Sequence, residues 1–212
     1  VCRPSGIFLE EGTELLVGEF GRKFQIYYSI LQLIASGLNS QSEIDSIIEK
    51  NTGRYLDTLE NEYSLIQKLR PMWAKPNSQG VKYYIDDCFL TFWFRFIESN
   101  RSMVELGKTD LLEETIRSGY TQFSGFVLEK YFRQQYGERE RVTEVSHWWD
   151  SECKNEIDLI AIERLDHRAT VAEVKRNPNK YSPSKLEEKF QKIKAHMRGL
   201  QVELKGLSMD DM

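Results

Sequence analysis

The stretch NEIDLIAIERLDHRATVAEVKRNP, residues 155–178, constrains this chain more than any other. It holds two apolar runs, EIDLIAIE at 156–163 and ATVAEVK at 169–175, joined by a charged turn, ERLDHRA. Short runs rich in Ile, Val and Ala, bounded by polar turns, predict a pair of β-strands. Their near-continuous apolar character predicts packing on both faces. Asp158 inside the first run, and Glu173 and Lys175 at the end of the second, are then anomalies. A buried charge is costly unless it is paired or holds a cation.

The pattern around the pair places it in a larger unit. Upstream, SGFVLEKYFRQQYG (124–137) predicts a helix and RVTEVSHWWD (141–150) a strand. Downstream, SPSKLEEKFQKIKAHMRGL (182–200) predicts a helix with a Ser/Pro start, and QVELKGLSM (201–209) a last strand. The order is α-β-β-β-α-β. The preceding half has a different grammar. FQIYYSILQLIASG (24–37), SQSEIDSIIEKN (40–51) and RYLDTLENEYSLIQKL (54–69) predict three short helices. The second has Ser or Asn cap candidates, and the third carries Tyr55, Leu59, Tyr63 and Ile66 on one stripe. LRPMWAK, PNSQG and VKYYIDD predict a β-hairpin, and three helices with a hairpin predict a winged helix-turn-helix. CFLTFWFRFIESNR (88–101) and LLEETIRSGY (111–120) predict further helices. The expected organisation is α+β: a linker over 1–21, the winged helix-turn-helix over 22–98, a helical connection over 99–118 and a second domain over 119–212.

Composition narrows the function classes. A net charge of −4 over 212 residues favours no partner by itself. The distribution is more telling: from Lys175 to Arg198, eight Lys or Arg face only Glu187 and Glu188. Cys2, Cys88 and Cys153 are odd in number and widely spaced, which suits a reducing compartment rather than a disulfide framework. With His147, His167 and His196 equally scattered, the spacing argues against a Cys/His zinc site. There is no signal-peptide pattern, and the apolar run FLTFWFRFI (89–97) is too short for a bilayer and contains Arg95. A cytoplasmic protein without a membrane partner is expected. The chain starts at Val without an obvious N-terminal element, as a fragment of a longer protein would. It has no G-x-x-x-x-G-K-[ST] loop, so no ATP site of the P-loop kind is expected within it.

The charges in the strand pair have a chemical use. Strand side chains alternate, so Glu173 and Lys175 share a face. Asp158 lies opposite them if the hairpin registers there, and Glu129 on the upstream helix can reach the same end. Hard divalent cations such as Mg²⁺ or Mn²⁺ take carboxylate and water oxygens. Asp158 and Glu173 would bind the cation, with Glu129 direct or through water. Lys175 would orient a water or neutralise developing negative charge.

Glu129, Asp158 and Glu173-Val174-Lys175 on an α-β-β-β-α-β order resemble the PD-(D/E)XK nuclease-like superfamily, which includes restriction enzymes and Holliday-junction resolvases. The resemblance implies a restriction-endonuclease-like fold with these four as its catalytic residues. One departure is Ile157, where the pattern often has Pro. More broadly, GRYLDTLENEYSLIQKLRPMWAKP, KYYIDDCFLTFWFRFI, HWWD, NEIDLIAI and AEVKRNP resemble the C-terminal half of archaeal-type ATPases, across residues 7–205. That likeness implies a winged helix and a nuclease-like domain following a P-loop domain, with IFLEEGTELLVGEFG as the link. ATP would bind only in that missing N-terminal part, which would be a partner of this chain along with DNA; self-association is left open.

Other features have competing readings. Lys185, Lys189, Lys192 and Lys194 on the helix 182–200 can track a phosphate backbone or form the solvated face of a helix that buries Leu186, Phe190, Ile193 and Met197. Gln191 is a weaker candidate for the acidic site. Arg54, Asn61, Gln67 and Lys68 on the third helix can read a groove, but Asp57, Glu60 and Glu62 would repel it. Trp148 and Trp149 suit base stacking or packing at a strand end. Two functions follow: metal-dependent hydrolysis of DNA phosphodiesters, or a non-catalytic DNA- or protein-binding regulatory arm whose charges merely pair.

Overall fold

The computed structural model describes residues 24–75 and 80–212, which form a mixed α+β chain of two compact units. The linker expected over 1–21 lies outside the described residues, as does most of the PNSQG loop. Among the described residues, no helix is long and apolar enough to cross a membrane.

The first unit is built on α1 (Phe24–Ser36), α2 (Gln41–Ile48) and α3 (Gly53–Asn61). Gly37, at φ +105°, ends α1 in a conformation that costs a glycine little. Ser40 opens α2 in a capping box with Glu43. The backbone amide and hydroxyl of fully buried Thr52 both donate to Asp45, at 2.7 and 2.5 Å, pinning the α2–α3 turn. Strands β1 (Ile66–Leu69) and β2 (Lys82–Ile85) then pair antiparallel, Ile66 opposite Ile85. Asp87 caps α4 (Cys88–Phe92), which runs into a π turn over Trp93–Ile97 and a 3₁₀ turn before α5 (Arg101–Glu105). Ile30, Leu31, Ile44, Leu56, Leu59, Trp93 and Phe94 have no exposed surface and centre the core.

Two expectations for this half need correction. The helix predicted over 54–69 ends at Asn61, because Ser64 at φ +53° turns the chain. Ile66–Leu69 then finds its backbone partners across β2 instead of along a helix. Gln67 and Lys68 are therefore strand residues, and the short apolar spacing was compatible with either period. Likewise, residues 70–75 do not extend the hairpin. They belong to the second unit, where the Met72 amide donates to the His147 carbonyl at 2.9 Å. Trp73 is half-buried there and stacks on His196 at 4.7 Å.

The helices predicted over 111–120 and 124–137 are one helix, α6 (Thr109–Gly137), and the boundary between the units falls inside it, after Tyr120. The Ser and Gly residues of SGYTQFSG lie where the two predicted helices meet. Gly119 has a packing purpose: a Cβ there would lie 2.6 Å from the buried Phe96 ring.

The second unit contains a four-stranded sheet in the order β3-β4-β5-β6. The strands are β3 (Glu144–Trp149), β4 (Glu156–Glu163), β5 (Arg168–Val174) and β6 (Gln201–Leu207). The first three pair antiparallel, and β6 joins β5 in parallel through the crossover helix α7 (Pro183–Ile193). Each sheet face is covered. Leu128, Phe132 and Tyr136 of α6 pack with Leu159, Ala161, Ala172 and Val174. Leu186, Phe190 and Ile193 of α7 pack with Ile157, Ile160, Ile162 and Val171. Two covered faces explain why β4 and β5 read as continuous apolar runs.

Gly119→Ala tests the close approach in the first unit. Overpacking a filled core costs about 1–3 kcal/mol. Better helix propensity returns only about 0.8–1 kcal/mol. A net loss of roughly 1 kcal/mol in urea unfolding is expected. Unchanged or increased stability would show that the Phe96 ring yields freely.

Candidate functional site

The site lies where β4 and β5 run side by side, and register brings its members together. Leu159 pairs with Ala172, so Asp158, one residue earlier, and Glu173, one residue later, sit at adjacent positions. A bulge re-aims β4 here. Between the pairs Ser146–Ile160 and Trp148–Ile157, β3 advances two residues and β4 three. The extra residue falls at Asp158–Leu159, and bulges of this kind redirect side chains and loosen pairing.

Lys175 joins the acids. Its Nζ lies 3.4 Å from Asp158 Oδ2 and 3.3 Å from Glu173 Oε2. The Val174 amide donates to Asp158 Oδ2 at 2.8 Å, fixing the carboxylate against the end of β5. The backbone continues the pairing, with the Lys175 amide donating to the Leu207 carbonyl at 2.8 Å. Glu129 on α6 borders the cluster with Arg133 Nη1 at 3.7 Å, and that arginine also donates to the Asp158 carbonyl at 3.0 Å. The four residues expected to carry chemistry are thus near neighbours.

Lys189 departs from its expected place. It was placed on the outward face of α7, yet its ammonium donates to Glu173 Oε1. Its spacing contained the signal: Lys189 follows Leu186 by three and precedes Ile193 by four, so it borders the buried stripe. Arg133 and Tyr181 were also missed. Arg133 follows Glu129 by one helical turn. Tyr181 packs on Gly206, the β6 partner of Glu173; a Cβ on that glycine would meet the ring at 2.5 Å.

The other candidates do not join the cluster. Lys192 Nζ is 3.8 Å from Asp150, and Lys185 and Lys194 are exposed. Gln191 donates to Glu187 on the outer side of α7 instead of reaching the acids. Arg54 is exposed on α3 of the first unit. Trp149 is buried, while Trp148 is half-buried against the core beneath α7.

Burial and charge act against each other here. Burial, reinforced by the charge of Asp158, pushes the Glu129 carboxyl up to about 8, against Arg133 and Lys175. Asp158 also moves up, chiefly through burial, despite Lys175 and the Val174 amide. Burial acts in the same sense on Glu173, but the Lys189 hydrogen bond and the charge of Lys175 win and hold it below its ordinary value. Burial would lower Lys175, but Asp158 and then Glu173 raise it. Near Glu129 and Asp158 the negative charge is under-neutralised, even with three cationic side chains around three acids.

The donor set suits a hard divalent cation in kind. Asp158 and Glu173 offer carboxylate oxygens, and the Lys175 ammonium between them is a cation stand-in. Among the described residues no three Asp, Glu, His or Cys form a group able to hold a metal. The protein would therefore supply two carboxylates, leaving water or phosphate oxygens to complete the shell, as is usual for Mg²⁺.

Comparison with known proteins gives family-level matches. Residues 93–193 match the family described as "Archaea bacterial proteins of unknown function" (DUF234). The chain is 32% identical over 158 residues to an uncharacterized protein of Methanocaldococcus jannaschii. That alignment covers 70% of this chain and 35% of the archaeal protein, so the chain spans about a third of its relative. No solved structure gives a significant match.

The pH dependence tests the electrostatics. Between the ordinary Glu value of 4.5 and about 8, the folded state keeps a proton on Glu129 that the unfolded state has lost. Raising pH through this window removes stability. Glu129→Gln removes the titration with little change in shape. In EDTA, its stability relative to the parent should rise as pH goes from about 5 to about 8 and level off below the unfolded value. A difference that does not vary with pH would mean that Glu129 titrates normally.

Proposed function

We propose that the second unit is a PD-(D/E)XK nuclease-like domain that hydrolyses DNA phosphodiesters with a divalent cation. The observation that carries this reading is the meeting of Asp158, Glu173 and Lys175 at the bulged end of a mixed sheet. Asp158 and Glu173 would hold Mg²⁺ or Mn²⁺, with Glu129 beside them. The cation would supply an activated water and offset charge on the phosphate. Lys175 would steady the attacking water or the developing negative charge. In the metal-free chain burial and the charge of Asp158 hold the Glu129 carboxyl up at about 8; a cation bound beside it would lower that value and leave Glu129 an anionic neighbour of the metal. We further propose that the first unit is a winged helix-turn-helix and that the chain serves an archaeal-type ATPase, whose own domain would bind ATP. The sequence resemblance supports both.

A second reading has an observation of its own. Arg133, Lys175 and Lys189 contact the cluster's three acids, as in a charge network that only holds the fold. The chain would then be a DNA- or protein-binding regulatory arm.

Calorimetric titration of Mn²⁺ into the chain and into Asp158→Ala separates the two. Uptake by the parent that is lost in the folded variant is expected. Lys175→Met should retain uptake but lose about 10²–10³-fold in DNA cleavage, as for removal of one preorganised charge-stabilising group. Absence of Mn²⁺ uptake in the parent, with or without DNA, would leave the regulatory arm.

DNA contact by α7 and the turn after it rests on Lys185, Lys192 and Lys194. Neutralising all three should weaken binding and flatten the log–log salt dependence by roughly 0.9 per lost phosphate contact. An unchanged slope would place DNA elsewhere.

A further inference from the structure

Among the described residues Glu173 is one of the most buried charged groups, at 5% exposure, and both of its oxygens are engaged. Lys175 approaches Oε2 and Lys189 approaches Oε1. The two lysines are held differently. Lys175 lies on the same strand end, two residues from Glu173, and also contacts Asp158. Lys189 reaches in from α7 on a flexible four-carbon stem, with 23% of its side chain still in solvent. Its turn of helix is anchored by Leu186, Phe190 and Ile193, so the backbone can stay while the stem swings outward. A cation entering between Asp158 and Glu173 needs an oxygen from each. It meets two ammonium groups already on Glu173, and a further positive charge at the same carboxylate adds repulsion.

We propose that Lys189 is a built-in counter-ion that neutralises Glu173 in the metal-free chain and is displaced by a divalent cation. The proposal rests on the metal-site reading above and adds an element to it: occupancy of the site is an exchange of one cation for another. Without Lys189, Glu173 would keep only Lys175, and its buried charge would be partly uncompensated. With Lys189 in place, the cluster folds without metal, and the cation must compete with it for the Glu173 carboxylate. Exchange also frees an ammonium beside the place where a phosphate would complete the metal's shell.

The test uses Mn²⁺ alone and the whole chain. Calorimetry is run on the parent, Lys189→Met, Lys189→Arg and Asp158→Asn, each first shown to be folded by circular dichroism. Lys189→Met should bind Mn²⁺ about tenfold tighter or more, the factor corresponding to loss of one competing charge-assisted hydrogen bond. Lys189→Arg, which keeps the charge, should stay close to the parent. Mg²⁺ added to the chain labelled with ¹³C at lysine Cε should shift the Lys189 resonance, assigned from its absence in Lys189→Met. Equal affinity in parent and Lys189→Met, with binding lost in Asp158→Asn, would overturn the counter-ion role and leave the metal site standing. Weaker binding in Lys189→Met would show support instead of competition, and overturn it too. No uptake by any variant would remove the metal site and the exchange with it. If Lys189→Met does not fold, the Mg²⁺-induced shift decides, with the resonance assigned through Lys189→Arg: an unmoved signal at saturating Mg²⁺ counts against the proposal.

Discussion

The pairing of β4 with β5 is the constraint on which the site depends. With Leu159 opposite Ala172, Asp158 and Glu173 become neighbours, and Lys175 can contact both. A slip of one residue would reverse every side chain between the two cores and separate the charges. The register is fixed by the apolar faces themselves. Leu159 and Ala172 pack beneath α6, while Ile160 and Val171 pack beneath α7. Hydrophobic burial therefore positions the polar cluster, though it contributes no charge to it.

Once placed, the charges depend on one another. Glu173 remains ionised because two lysines flank it, and Lys175 remains charged because two acids flank it. Glu129 and Asp158 gain less compensation than their burial demands, and both move upward. This asymmetry within one cluster is what acid–base chemistry uses, since neighbouring carboxyls then occupy different protonation states at one pH. A structural ion-pair network perturbs carboxyls as well, so function must be argued from how the site responds to a cation.

Much of this was legible in the chain. The strand pair read over 156–163 and 169–175, and found at Glu156–Glu163 and Arg168–Val174, was visible because burial on both faces leaves an apolar run that only its anomalous charges interrupt. The buried stripe of α7 was visible from helical spacing. Other features were ambiguous for physical reasons. Ile66 and Leu69 suit a helix or a strand over so short a run, and a backward-turned Ser64 decided between them. The helices predicted over 111–120 and 124–137 read as separate until Phe96 is seen to need the space at Gly119. Residues 70–75 leave their own hairpin for the second unit, an arrangement that no local pattern records.

The sequence by itself determined which residue types could do chemistry, Glu129, Asp158, Glu173 and Lys175, and the order of elements that carry them. Local periodicity and turn chemistry suffice for that, because they act over a few residues. Tertiary structure alone decided the bulge that turns Asp158, the bridging position of Lys175 and the inward reach of Lys189. These depend on residues of different elements, 9 to 17 positions apart in the chain, being packed against one another, and a linear pattern holds no measure of that distance.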